Sequence, residues 1–440
     1  DSTAAHLTIL RAFSRAGDFD AATETASQWT KEHPKNATSW IARGQLALDR
    51  GNIDEARGYF QSAANAEPGS AAPYIAMGSL ALKQEKQESA IEHFKKAVRL
   101  APDNVQALQS LSSLLSHEDS VVFMNDVLKE NPKATGPRLV LLEISLIQDN
   151  NEAVDTYTAD LMETSSLNGT PPAAPLVASI YNTVSRQKVE SGEYQRAEQI
   201  LNRARALFPD NEEIALQAAT VAYLTGNNGA ANQLIQDIKL QHPDSARPFL
   251  IQAAQMSRES RHKEAAELYQ LALQKEDTVS TRLRYAKALQ LAGQPGQAIE
   301  TLEELRNANP ARPQVNLALA MAYQGNDQAE KAGEAYEALL ETEPDNVVAL
   351  NNLAWIYQQN NDDRALSLAE KAYELSPQSA AVADTYGWIL FNAGKHNESV
   401  PVLEQAHQLQ PDSEEIALHL VEAYKATGQD AKAKAVLEKM

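Results

Sequence analysis

The sequence contains no cysteine, which removes disulfides, thiolate nucleophiles, CxxC zinc sites and thiolate-held iron–sulfur clusters in one step. It has no apolar run approaching the roughly 18 residues that a membrane-spanning helix needs, and 43% hydrophobic residues are spread along the chain. Its first residues, Asp1-Ser2-Thr3, lack the basic and apolar regions of an export leader, so the leader of an exported protein would be absent from this chain. Positive charge is in the minority: 39 Lys and Arg against 59 Asp and Glu give a net charge of −20. Such a field repels phosphate backbones and anionic lipid surfaces, so neither nucleic acid nor a membrane is an expected partner. No GxxxxGK[ST], GxGxxG or GxSxG string is present, so nothing builds a phosphate cradle or a nucleophile elbow. The 9 histidines form no HExxH and no i,i+4 pair. Surface or packing roles are expected for them rather than metal binding. The acidic groups Glu300-Glu303-Glu304 and Glu334-Glu337-Glu341 read as solvated helix faces. No catalytic, cofactor-binding or metal-ligating residue is nominated, and the chain is expected not to be an enzyme.

What is there is periodicity. Pro34, Pro68 and Pro102 lie 34 residues apart, as do Pro209 and Pro243, and Pro310, Pro344, Pro377 and Pro411 follow at 34, 33 and 34. Alanine keeps phase with proline at Ala22, Ala56, Ala90, Ala197, Ala231, Ala265, Ala298, Ala332, Ala365 and Ala433, and a second small residue recurs at Ala63, Ala97, Ala204, Ala272, Ala372 and Ala406. Each period reads as two amphipathic helices joined by a short breaker such as Gly51-Asn52, hence antiparallel neighbours. Small residues such as Gly44 and Ala56 let the two backbones approach, and Trp40, Leu46 and Phe60 fill the space around them. Pro-Asp-Asn or Pro-Asp-Ser at Pro102, Pro209, Pro243, Pro344 and Pro411 supplies a side-chain oxygen to cap the next helix.

The spacing of Trp40, Gly44, Ala56, Phe60, Ala63 and Pro68 resembles the tetratricopeptide repeat (TPR). The resemblance implies an all-α, right-handed superhelical solenoid of about 12–13 tandem helix-turn-helix repeats. In phase, the units run 3–36, 37–70, 71–104, 105–134, 135–173, 174–211, 212–245, 246–278, 279–312, 313–346, 347–379, 380–413 and an incomplete 414–440. The fourth is short, with Pro132 only 30 residues after Pro102, and SSLNGTPPAAP at 165–175 is an irregular insertion. That stretch reads equally as a kink between two runs, 1–164 and 176–440, or as a longer loop in an unbroken stack. No polar terminal helix covers the last apolar face, so the chain is expected to be a fragment or to associate through its uncapped last repeat, with itself or another molecule.

The resemblance also implies that the first helix of each unit lines a concave groove that holds extended peptides or partner helices. Met321, Trp355 and Trp388 share one groove-facing place in successive repeats. They serve either as anchors for a partner or as packing between neighbouring first helices. Asn351, Asn352, Gln358, Gln359 and Asn392 add amides suited to peptide backbone, and Asp384 and Glu422 add negative charge. The paired Lys and Asn with which chaperone-binding members clamp a C-terminal carboxylate are missing. The stretch Ala349 to Gly394, with LNNLAW and DTYGWIL, is similar to exported bacterial TPR lipoproteins of PEP-CTERM/exosortase (PrsT-like) sorting and exopolysaccharide systems. That likeness implies a protein-binding scaffold, periplasmic or attached to the outer membrane, in envelope assembly. A cytoplasmic protein, or the repeat arm of a larger glycosyltransferase or polysaccharide-export porin, is the alternative.

Overall fold

The computed structural model describes residues 3–167, 173–308, 310 and 312–439. Every described element is a helix, 26 in all, named here α1 to α26 in chain order. Each of the thirteen units expected from proline phase holds one successive pair, from α1 (Thr3–Arg15) with α2 (Phe19–Glu32) to α25 (Glu414–Ala426) with α26 (Asp430–Leu437). The chain divides into two compact units, Asp1–Leu234 and Ile235–Met440. That boundary falls within α14 (Asn228–Gln241). Residues 168–172, the centre of the expected insertion, lie outside the described residues. Its two ends are helical rather than irregular: α10 (Asn151–Leu167) runs through its start, and α11 (Ala174–Glu190) begins before Pro175. Proline is tolerated there because the first turn of a helix has no partner for its N–H groups anyway.

The seam between paired helices is made by size. Ala22, Ala56, Ala90, Ala197, Ala231, Ala265, Ala298 and Ala332 are all 0% exposed. In α3 (Ala37–Asp49), Gly44 lies against the ring of Phe60 from α4 (Ile53–Ala66), and a Cβ there would overlap that ring. A Cβ at Gly78 would fall 2.7 Å from the Phe94 ring, and one at Gly387 2.7 Å from Leu403. Phe60, Phe94 and Leu403 are in turn buried. The hydrophobic gain from these side chains is therefore available only while the facing position stays small.

Turns and caps follow from the same sequence signals. Gly17, Gly51, Gly192, Gly226, Gly293, Gly394 and Gly428 close their helix pairs in the left-handed region, where lack of a Cβ removes the strain. Glu85, Asp149, Ser260, Asp327 and Asn361 take the same conformation at a steric cost. The expected Pro-Asp-Asn/Ser caps form at Asn104, Asn211, Asn346 and Ser413. The fifth does not: α15 (Arg247–Arg258) starts after Ala246 with Pro248 in its first turn. Ser245 Oγ instead accepts from Arg247 N at 3.3 Å. The fourth repeat has no left-handed residue among its described turn residues, and α7 (Val105–Ser112) has only 8 residues where α5 (Ala72–Lys83) and α9 (Gly136–Ile147) have 12. Its four-residue deficit is one helical turn.

Successive repeats are tied by tyrosines. In the second unit Tyr323 donates to Glu303, Tyr357 to Glu337 and Tyr424 to Glu404 at 2.6 Å, each reaching the second helix of the preceding repeat. Lys331, Arg364 and Lys432 lie over the same three rings. Burial, reinforced by the carboxylate neighbour, pushes the Tyr323 and Tyr357 hydroxyls up to about 12. The reading of Glu303, Glu304 and Glu337 as merely solvated is thereby corrected. Glu304 pairs with Arg282 at 3.2 Å, and Glu337 also accepts from Arg364 at 3.1 Å. Apart from Arg282, which sits on the first helix of Glu304's own repeat, these partners lie in neighbouring repeats, so a reading of one helix face at a time misses them all.

The seam yields a paired prediction. Gly44→Ala should destabilise the protein by about 1–3 kcal/mol through overlap with Phe60. Gly58→Ala, in the same repeat but facing open space, should stabilise it by about 0.5–1 kcal/mol. Denaturant midpoints of the two variants should move in opposite directions.

Candidate functional site

The nominated residues all lie in the second unit, on three first helices: α19 (Pro313–Gln324), α21 (Val347–Gln359) and α23 (Ala380–Asn392). Met321 is 51% exposed, a large apolar side chain left in solvent. Trp355 and Trp388 are half-buried. Trp388 stacks between Phe391, with ring centroids 4.9 Å apart and planes 6° apart, and His419 of α25, at 4.1 Å and 15°. Trp355 forms no ring contact of this kind among the described residues. The place that His419 occupies is taken one repeat earlier by Thr385, which has no ring to offer.

Asp384 is 8% exposed. Its two oxygens lie 2.9 and 3.0 Å from His419 Nδ1. Since a carboxylate only accepts, Nδ1 carries the proton, and the imidazole plane is fixed against Trp388. Hydrogen bond and stacking thus converge on one inter-repeat contact, and Asp384 is a buried partner rather than a free group in the groove. Glu422, exposed at the place matching Trp388 in the last repeat, pairs with Lys425 at 2.7 Å.

The amides divide into two kinds. Asn352 Nδ2 donates to the Tyr336 hydroxyl at 2.8 Å, and that hydroxyl donates to Gln324 at 2.7 Å. Burial pushes the Tyr336 hydroxyl up, and Asn352 is spent on internal structure. Asn392 is exposed, and its Nδ2 donates to the Trp388 carbonyl at 3.0 Å. Asn351 Nδ2 lies 3.4 Å from Asn352 Oδ1, while its own Oδ1 is buried with no partner among the described residues. Half-buried Gln358 lies at the far end of α21. The arrangement offers an apolar edge, two half-buried tryptophans, one of them already stacked on its neighbours, and one unmet acceptor. It provides no nucleophile–base pair, and among the described residues no group of three or more His, Asp or Glu side chains could hold a metal.

Sequence reasoning missed His419, which had been assigned an ordinary role. Its signal was its phase: it follows Asp384 by 35 residues, one repeat plus one. That places it against Asp384 only when consecutive first helices are laid side by side.

These features define the class as a stack of helix-turn-helix repeats with a side-chain-lined first-helix face. Three family profiles, each described as tetratricopeptide repeat, match residues 188–254 and 390–440, residues 7–72 and 317–380, and residues 71–104. The chain belongs to the tetratricopeptide repeat family. It is 29% identical over 183 residues to a TPR repeat-containing protein of Pseudomonas aeruginosa, covering 33% of this chain and 31% of that protein. It is 27% identical over 186 residues to Protein O-mannosyl-transferase TMTC1 of Homo sapiens, covering 41% of this chain and 20% of that protein. The match thus spans less than a third of either relative. Among solved structures, the chain aligns with the APC/C hetero-tetramer Cut9-Hcn1 at TM-score 0.42 and 14% identity, over 94% of this chain and 95% of that one. It aligns with yeast Tom70 at TM-score 0.41 and 13% identity, over 97% and 96%. No helix among the described residues is long and apolar enough to cross a membrane.

The stacked pair can be tested directly. His419→Ala, which strands the buried Asp384 carboxylate, should cost about 1–3 kcal/mol. A double-mutant cycle with Trp388→Ala should show a coupling of about 0.5–1.5 kcal/mol. Denaturant unfolding measures both, and a coupling near zero would mean that the tryptophan is held by something other than the histidine.

Proposed function

We propose that these residues form a non-enzymatic scaffold that holds partner proteins or peptides against the first helices of the second unit. The observation that carries this reading is the row Met321, Trp355 and Trp388. Three successive repeats hold large apolar side chains at one place and leave them exposed or half-buried, although the seam of the same repeats buries its apolar residues almost completely. Exposed aromatic anchors are the commonest source of affinity at protein interfaces. The surround is acidic, with 14 Asp and Glu against 5 Lys and Arg in residues 300–374. A partner segment with apolar or aromatic side chains flanked by Lys or Arg fits it.

Within this reading, the scaffold works in bacterial envelope protein sorting or exopolysaccharide assembly, in the periplasm or attached to the outer membrane. Support comes from the likeness of Ala349 to Gly394 to exported lipoproteins of those systems. A second reading makes the chain the repeat arm of a larger enzyme or export machine. The partial likeness to a human O-mannosyl-transferase favours it. The reading frame flanking these residues separates the two: a lipoprotein leader supports the first, and an adjoining catalytic or barrel domain supports the second.

The binding test uses a partner recovered from bacterial envelope extract on the native chain. Trp355→Ala combined with Trp388→Ala should weaken that partner by about 2 kcal/mol, roughly 30-fold in Kd. Because Trp388 also stacks on His419, circular dichroism accompanies the measurement. Equal affinity in a folded double variant would remove the tryptophan face from the interface.

A further inference from the structure

The first unit holds a hollow between successive first helices. Its volume is about 640 Å³, and it lies among α7, α9 and α11. Its apolar walls are Val105, Leu108, Leu139, Val140, Leu176 and Ile180. Val105 is 64% exposed and Leu176 52%, so a surface that should be covered faces solvent. The floor is closely fitted: Gly136 N donates to Asp103 at 2.6 Å, and a Cβ on Gly136 would strike the Pro102 carbonyl at 2.5 Å. Asp103 is therefore engaged.

One carboxylate in this hollow is not. Glu143 of α9 is half-buried and makes no hydrogen bond and no ion pair among the described residues. Burial holds its carboxyl above the usual carboxylate range, with His117 at the start of α8 (His117–Glu130) pulling the other way. Ser112 Oγ, also lining the hollow, is buried without a hydrogen-bond partner. A half-buried carboxylate among apolar walls loses its remaining water when an apolar segment enters, and a cation carried on that segment restores a partner.

We propose that this hollow is a second docking site, for an apolar peptide segment of a partner protein bearing one Lys or Arg whose cation seats on Glu143. The proposal rests on the protein-binding reading above but uses a different surface, in the other unit. Charge complementarity chooses the occupant: a wholly apolar segment leaves Glu143 buried and unpaired, and an acidic one meets like charge. The unmet Ser112 hydroxyl is available to a backbone group of the same segment.

The test uses the full chain and three synthetic twelve-residue peptides of leucine and alanine, identical except for a central lysine, norleucine or glutamate, each carrying a terminal fluorophore for anisotropy. The lysine peptide should bind about tenfold more tightly than the norleucine peptide, and the glutamate peptide most weakly. Glu143→Gln should abolish the preference for lysine while leaving the norleucine peptide within about twofold. Val105→Glu and Leu176→Glu, at exposed positions where folding is not at stake, should each weaken the lysine and norleucine peptides alike. Equal binding of lysine and norleucine peptides to the native chain overturns the proposal, as does a lysine preference that survives Glu143→Gln. If peptide binding is lost in Trp355→Ala with Trp388→Ala but is indifferent to Glu143→Gln, this site fails while the protein-binding reading stands. Dimerisation of the chain in sedimentation that Val105→Glu prevents assigns the hollow to a second copy and likewise overturns the proposal.

Discussion

Two helices can pack as closely as those of each repeat only if at least one of the two side chains that meet at their crossing is small. The pairs sixteen residues apart show the rule: Gly44 with Phe60, Gly78 with Phe94, Ala253 with Tyr269, Ala286 with Leu302, Ala320 with Tyr336 and Gly387 with Leu403. The first and fifth repeats exchange the sizes, with Leu10 paired to Ala26 and Leu142 to Thr158. All of these non-glycine residues are buried. One partner stays small while the identity of the other varies, which is how a close-packed crossing tolerates substitution. Repeat eleven, with Ala354 and Ala369, is small on both sides.

The rest of the structure depends on that seam. Because each repeat buries its apolar residues between its own two helices and against its neighbours, the outer side of every first helix is released from packing duty and can vary. In the second unit that freedom is used for methionine and tryptophan, and at Asp384 and His419 for a buried pair that fixes one helix against the next. The tyrosine–glutamate contacts do the same work between a first helix and the second helix before it. Stability in such an array is a sum over neighbours, so a local departure such as the lost turn of α7 alters one place without unravelling the rest.

The fold was legible because its determinants are short-range and repeated. Proline phase located all thirteen helix pairs, and each alanine in the ruler is buried, Ala365 and Ala433 at 3% exposure. Four of five predicted caps form for the local reason given. Several of the failures share a cause. Glu303, Glu337 and His419 look ordinary within their own helices and gain meaning only from a residue in the adjoining repeat. The ends of the 165–175 stretch were read as irregular from proline content, although proline is welcome in a helix's first turn. The hollow was not anticipated because its walls come from three separate repeats. Of the nominated groove residues, the tryptophans and Met321 were placed by phase alone, whereas the engagement of Asn352 with Tyr336 and of Asp384 with His419 needed the neighbouring helices in position.

The central claim is that size complementarity at the helix crossing, rather than residue identity, holds each repeat. It is tested most directly by exchanging sizes in a repeat that has not done so, with Ala286→Leu, Leu302→Ala and the two together compared by denaturant unfolding. Both residues are 1% exposed in the native packing. Each single change should destabilise the protein, the first by overpacking and the second by a cavity. The account predicts that the double variant is at least about 1 kcal/mol more stable than the sum of the two losses allows. Simple additivity of the two would contradict it.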